Sequence, residues 1–222
     1  MALILNIETA TRNCSVTIAR DGEILSSREI AEQGYSHAEK LHVYIEEVLQ
    51  EANCTPADLS AIAVSQGPGS YTGLRIGVSA AKGLCYALEI PLITVDTLQV
   101  LASQVHVEDG VIVPMIDARR MEVYSAVFDV QLQKIREVRA EIITEYSLAE
   151  YNGNIYIIGD CQPKIQSVLN GSNFIYLDQH VFPSAKEMAP ISFMKYQQQD
   201  FVDVAYFEPY YLKDFLILTK KV

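Results

Sequence analysis

Four cysteines, at positions 14, 54, 85 and 161, are spread through the 222 residues, and no two form a C-x-x-C pair. That spacing excludes a zinc ribbon and a dithiol redox motif, and it reads as reduced thiols in a cytoplasm. Basic residues are also scarce: 17 Lys and Arg stand against 28 Asp and Glu, a formal charge of -11. Unaided binding to nucleic acid or to an anionic membrane needs a basic footprint, which this composition withholds. Only four histidines are present. His37 and His42 are five apart, about 140° around a helix, so they do not share a metal-binding face as an i, i+4 pair does. His106 and His180 have no ligand cluster near them in the sequence, and H-E-x-x-H is absent. No basic n-region with a cleavage site precedes the strand-like Leu3 to Ile7, so the expectation is a soluble cytoplasmic protein without a targeting segment.

What is present is apolar and patterned. Half of the residues are hydrophobic, with no low-complexity stretch, which predicts one or two compact domains with real cores. Leu3 to Glu8, Cys14 to Arg20 and Glu23 to Ile30 read as strands, and Asp21-Gly22 is a hairpin signal, so the three form an antiparallel meander. Ser36-His37-Ala38-Glu39 matches the S-x-x-E capping box; Leu41, Tyr44, Ile45, Val48 and Leu49 follow at helical spacing. A buried strand (61–64), a glycine-rich helix, a short strand (92–95) and a helix capped by Asp96 or Thr97 come next.

From Val111 the plan repeats, with strand, polar turn and strand, a third strand (135–143), a short helix near Leu148, a strand (155–158) and a helix from about Ser184. Two βββαβα units predict a duplicated α/β fold with mixed sheets, flanking helices and a cleft between the halves. The first lobe is expected over 1–103, joined by a C-terminal segment 205–222, and the second over 104–204. Glu8-Thr9-Ala10-Thr11 and Asp117-Ala118-Arg119-Arg120 become matching first turns facing the cleft.

Ser65 to Val78, S-Q-G-P-G-S-Y-T-G-L-R-I-G-V, joins the fourth strand to the glycine-rich helix. A strand, a Gly-Pro-Gly turn and a helix N-terminus aim several backbone N–H groups at one spot, where the dipole favours an anion or a close-packed partner. Packing is the favoured reading: Gly73, Gly77 and Ala81 stand at i, i+4, i+8, flanked by Leu74 and Val78, and let a neighbouring helix approach.

I-E-T-A-T, G-P-G-S-Y-T-G-L-R-I-G, I-D-A-R-R-x-E-V-Y and E-P-x-Y-L occur in one order and spacing. From Met1 to about Leu212 the chain resembles the TsaB (YeaZ) family, subunits of the bacterial machinery that makes threonylcarbamoyladenosine next to the tRNA anticodon. The resemblance implies the ribonuclease-H-like superfold of actin, sugar kinases and Hsp70 ATPases. It implies a TsaD-type transferase as partner, a TsaE-type ATPase as third component, self-pairing when alone, tRNA met only through the complex, and no membrane. Where the TsaD paralogue carries an H-x-x-x-H metal pair, this chain has Thr97 and Leu101, so no metal or other cofactor of its own is expected, with ATP or ADP confined to the complex.

The resemblance also implies a two-helix interface through the Ser36 and Tyr71 helices. Its candidate residues are Tyr35, His37, Leu41, Tyr44, Tyr71, Leu74, Gly77, Val78 and Ala81; the plainer alternative buries both helices against their own sheet. Thr9, Ala10, Thr11, Asp117 and Arg119 are candidates for weak nucleotide contact, Arg119 for meeting an anion bidentately. Against that, Glu8 and the threonines satisfy backbone groups, and Arg119 pairs with Asp117 or Glu122. An ATPase or small-molecule kinase acting alone is the competing function, and a peptidase, with no Ser and His brought together by any motif, is a third.

Overall fold

The computed structural model describes residues 1–32 and 37–213; Tyr35 and Ser36 lie outside the described residues. Strands β1 (Leu3–Glu8), β2 (Cys14–Arg20) and β3 (Glu23–Ile30) form the meander, followed by α1 (His37–Glu51), β4 (Ala61–Gly67), α2 (Tyr71–Leu88), β5 (Leu92–Asp96) and α3 (Thr97–Ala102). The second set is β6 (Val111–Asp117), β7 (Glu122–Phe128), β8 (Lys134–Ile142), β9 (Ile155–Ile158), α4 (Gln162–Ile165), β10 (Phe174–Tyr176) and α5 (Ala185–Gln197).

The sheets run β3-β2-β1-β4-β5 and β10-β9-β6-β7-β8. Read from its other edge, the second order matches the first strand for strand, and the parallel pairs β1·β4 and β4·β5 recur as β6·β9 and β9·β10. The duplicated α/β fold is therefore observed. Two details of element content differ from expectation. The segment around Leu148 is a series of turns, with Leu148 itself at φ +67° and buried. Its apolar side chain plugs the second core without a helix around it. Strand β10 and helix α4 were not expected, because both are short and lie beside the turn-rich Asn170-Gly171-Ser172-Asn173.

Alternation along β1 separates two cores. Leu3, Leu5 and Ile7 join Leu41, Val48, Val78 and Ala81 under α1 and α2. Ala2 and Ile4 face the other way, toward Ala185 and Met188 of α5. Helix α5, counted from sequence with the second lobe, thus has its buried face on the first sheet. Helix α3 is shared: Val100 joins that same cluster, while Leu98 and Leu101 pack with Ile112, Ile116 and Tyr124 of the second sheet. The chain's last described segment returns to the first lobe, where Val202 N donates to Leu92 O at 3.0 Å and Tyr210 N to Gln66 O at 2.8 Å.

Asp96 joins the halves at α3. Its Oδ1 accepts from Leu98 N at 2.8 Å and Gln99 N at 3.3 Å, and its Oδ2 accepts from Lys134 Nζ of β8 at 2.6 Å. Asp96→Ala removes a helix cap and leaves half-buried Lys134 with only the exposed Glu137 as a partner, so it is expected to cost about 1–2 kcal/mol in urea unfolding. Adding Lys134→Ala should recover part of that loss; no recovery would mean that the cross-lobe pair carries none of it.

Candidate functional site

The first turn, Thr9 to Asn13, carries the residues expected to contact a nucleotide, and α2 with the loop before it closes the turn. A Cβ built on Gly69 would sit 2.3 Å from Ala10 O, one on Gly73 2.1 Å from Thr9 O, and one on Gly77 2.2 Å from Thr9 Oγ1. Glycine is required at Gly69 and Gly73 because the turn's backbone occupies the space of a side chain, and at Gly77 because the Thr9 side chain does. Ser70 N, at the start of α2, donates to Ala10 O at 2.6 Å, and Thr9 Oγ1 donates to Gly73 O at 2.8 Å. From α1, the His37 Nε2–H donates to Thr11 O at 2.8 Å, and burial holds that imidazole below its usual pKa, as a neutral donor.

Thr9, Ala10 and Thr11, expected as nucleotide contacts, are consequently buried, whereas Asp117 and Arg119 are exposed. The structure does not assemble the two sets into one pocket. A cavity of about 350 Å³ between the lobes is lined by Asn13, Glu29, Gln104, Phe182, Ser184 and Glu187 among others. A larger basin of about 740 Å³ lies on the second lobe beside Thr144, Tyr146, Val168 and Phe174. Neither is lined by the five candidate residues.

Glu8 ends β1 beneath the sealed turn and is wholly buried. Its Oε1 accepts from Ala10 N at 2.6 Å. Ser65 is shared with Thr97, 2.6 Å away, so Oε2 is left without a well-formed hydrogen bond. Burial pushes the carboxyl up to about 7, against the opposing hydrogen bonds from Ser65 and Ala10. The Ser65–Thr97 link escaped sequence reading. The one available signal was an acid closing the otherwise apolar L-I-L-N-I.

Thr97 and Leu101 occupy the positions at which a metal pair would stand, and the residues do not fit one. Thr97 Oγ1 also accepts from Gly67 N at 3.1 Å, and Leu101 is fully buried in the core. Among the described residues no group of three or more His, Cys, Asp or Glu is placed to hold a metal ion. An aliphatic side chain and a committed hydroxyl supply no ligand set.

Of the interface candidates, His37, Leu41, Leu74, Gly77, Val78 and Ala81 are buried inside this chain, and Tyr44 and Tyr71 are half-buried. The glycine and leucine stripe points at the chain's own turn and sheet, because helical periodicity marks the face that meets the core. The outward faces are different residues: His42 and Val43 on α1, and Arg75, Ser79, Gly83, Tyr86 and Ala87 on α2. A Cβ on Gly83 would meet nothing within 4 Å. At the start of α2 the Arg75 guanidinium lies 4.2 Å over the Tyr71 ring, which in turn packs on Tyr211 at 5.0 Å between centroids.

The second turn is held by lysines. Lys164 Nζ ion-pairs with Asp117 and donates to Glu122 O at 2.7 Å and Arg120 O at 3.2 Å. Lys213 Nζ donates to Ala118 O at 3.2 Å and ion-pairs with Glu122. Asp117 and Glu122, both considered as partners for Arg119, are thus paired with lysines.

A family model described as TsaD, tRNA N6-adenosine threonylcarbamoyltransferase, matches residues 25–207. The tRNA threonylcarbamoyladenosine biosynthesis protein TsaB of Escherichia coli K12 is 29% identical over 95% of this chain and 94% of its own length. The TsaB of Bacillus subtilis 168 is 36% identical over 56% of this chain and 54% of its own. The solved structure of YeaZ from Pseudomonas aeruginosa superposes with a TM-score of 0.84 at 24% identity, covering 96% of this chain and 100% of that one, which shows the fold.

Two measurements probe the sealed turn. Gly73→Ala should cost about 3 kcal/mol or more, since a backbone carbonyl cannot yield, whereas Gly83→Ala should gain about 0.5–1 kcal/mol of helix stability; equal effects in urea unfolding would contradict the packing. Glu8, raised from 4.5 unfolded to about 7 folded, contributes stability that is full below pH 4.5 and is lost as pH rises through 7. Wild type should therefore lose about 3 kcal/mol more than Glu8→Gln between pH 4.5 and 8; parallel pH profiles would refute the buried neutral acid.

Proposed function

Because the chain belongs to the TsaD-type family, in its TsaB (YeaZ) branch, we propose that it is a non-catalytic subunit of the assembly that makes threonylcarbamoyladenosine in tRNA. Its role is to bind and stabilise a TsaD-type transferase, which carries the chemistry. The sealed first turn is the observation that carries this reading. Phosphoryl transfer is catalysed by free donors and Mg²⁺ ligands positioned on the phosphates. Here Thr9 Oγ1, Ala10 N and Glu8 Oε1 are committed to one another and to α2.

The docking surface is the outward side of α1 and α2, two neighbours on one face of the first sheet. Tyr and Arg side chains are the residues that carry binding energy at interfaces, and Tyr71, Arg75 and Tyr86 supply them. Ser79, Gly83 and Ala87 leave room for a partner helix to approach. The same faces pair two copies when the transferase is absent. A TsaE-type ATPase is the third component, ATP or ADP sits at the complex, and tRNA is met within it, in the cytoplasm.

The test is co-purification of this chain with the TsaD-type protein of its own organism, followed by a tRNA threonylcarbamoylation assay with each subunit alone and with both. Activity is expected only with both. Val43→Arg with Tyr86→Ala should weaken the pairing at least about tenfold, the scale of one hot spot, with an unchanged thermal midpoint. ATP turnover by the isolated chain, indifferent to the partner, would overturn the proposal.

A further inference from the structure

Three arginines without acidic partners mark the two matching turns. Arg12 in the first turn and Arg119 and Arg120 in the second are exposed, and among the described residues no acid lies within ion-pair distance of them. The nearby acids are engaged elsewhere: Asp117 with Lys164, Glu122 with Lys213, and Asp160 Oδ1 with the Asp117 backbone N–H at 2.8 Å. The returning segment links the two turns: Ser70 N at the start of α2 donates to Ala10 O of the first, Tyr71 of the same helix packs on Tyr211, and Lys213 Nζ donates to Ala118 O of the second. Burial raises the Asp160 carboxyl, and the Arg12 charge is among those that oppose it.

Arg119 and Arg120 have φ of +69° and +56°, consecutive left-handed residues. Any Cβ is disfavoured there, and glycine or asparagine is the economical choice. The second turn nonetheless carries two arginines, its backbone pinned by Lys164 and Lys213 through the carbonyls of Ala118, Arg120 and Glu122. Fixed carbonyls and unpaired guanidinium groups present cations without tying them down. Backbone held in a sparsely populated region at a surface turn points to use rather than to stability.

We infer that Arg12, Arg119 and Arg120 form a binding site for the phosphate backbone of RNA. The three are exposed and line neither of the two cavities described above, and a polyanion requires only several cations on its path. With the rest of the chain acidic, the site holds RNA at low salt by itself and acts as an auxiliary contact when a partner supplies the remaining charge. The choice of RNA among polyanions rests on the function proposed above.

The experiment is fluorescence anisotropy of a labelled, unmodified tRNA transcript with the full chain across a salt series starting near ~50 mM. Arg12→Gln with Arg119→Gly and Arg120→Gly is compared with a control, Arg20→Gln with Lys40→Gln and Arg139→Gln; both lose three positive charges. The first variant should bind at least tenfold more weakly, with the slope of log K against log salt reduced by about 2–3, and the control should keep its slope. Its thermal midpoint should rise, because glycine relieves the left-handed backbone. Equal weakening of both variants would overturn the site, as would a fall in the midpoint, which would make the arginines structural. Displacement of the RNA by stoichiometric MgATP would reassign the ligand as a nucleotide and overturn it too. Failure of the subunits to modify tRNA together would sink the proposed function while leaving the contrast between variants intact.

Discussion

The contact of Gly69, just before α2, and of Gly73 and Gly77 on it with the first turn governs the first lobe. Together they bring the chain so near Thr9 and Ala10 that no Cβ fits between them. At the positive end of α2, Ser70 N donates to Ala10 O, and the Ser70 hydroxyl accepts from Gly73 N. The first turn of the duplicated fold is thus occupied by packing against α2 and the loop before it.

The second constraint is the coupling of the lobes. Helix α3 lies between the two sheets, and Asp96 both caps it and holds Lys134. The returning segment runs along the first lobe, where Lys82 Nζ donates to Phe207 O at 2.9 Å, and then reaches the second turn through Lys213. Helix α5 covers the first sheet from the second half of the chain, with Ser192 Oγ donating to Asn6 Oδ1 at 2.6 Å. Each lobe thus depends on segments that follow or precede it in sequence, and opening them apart would break buried contacts.

Much of this was legible beforehand. The three meander strands, the Asp96 cap and the repeated strand plan follow from alternation, turn chemistry and capping, which are local signals. The α2 glycines read correctly as a packing surface, but not what they pack on, since a turn some sixty residues earlier leaves no mark near Gly73. The interface residues were chosen by helical period, and period identifies the buried stripe; Leu41, Val78 and Ala81 therefore turned out to be core. The outward residues Val43 and Tyr86 carry no such signature. Strand β10 was lost because three residues flanked by Asn and Gly look like a loop, and the Lys164 clamp on the second turn joins residues that no motif connects.

Hydrogen–deuterium exchange on the full chain tests the central claim most directly, comparing the free protein, the protein with MgATP and the protein with its TsaD-type partner. A sealed turn and a docking role predict that MgATP leaves exchange over 8–13 unchanged, while the partner slows exchange along 37–51 and 71–88. Protection of 8–13 by MgATP, with the two helices indifferent to the partner, would contradict the account and make the first turn a working nucleotide site.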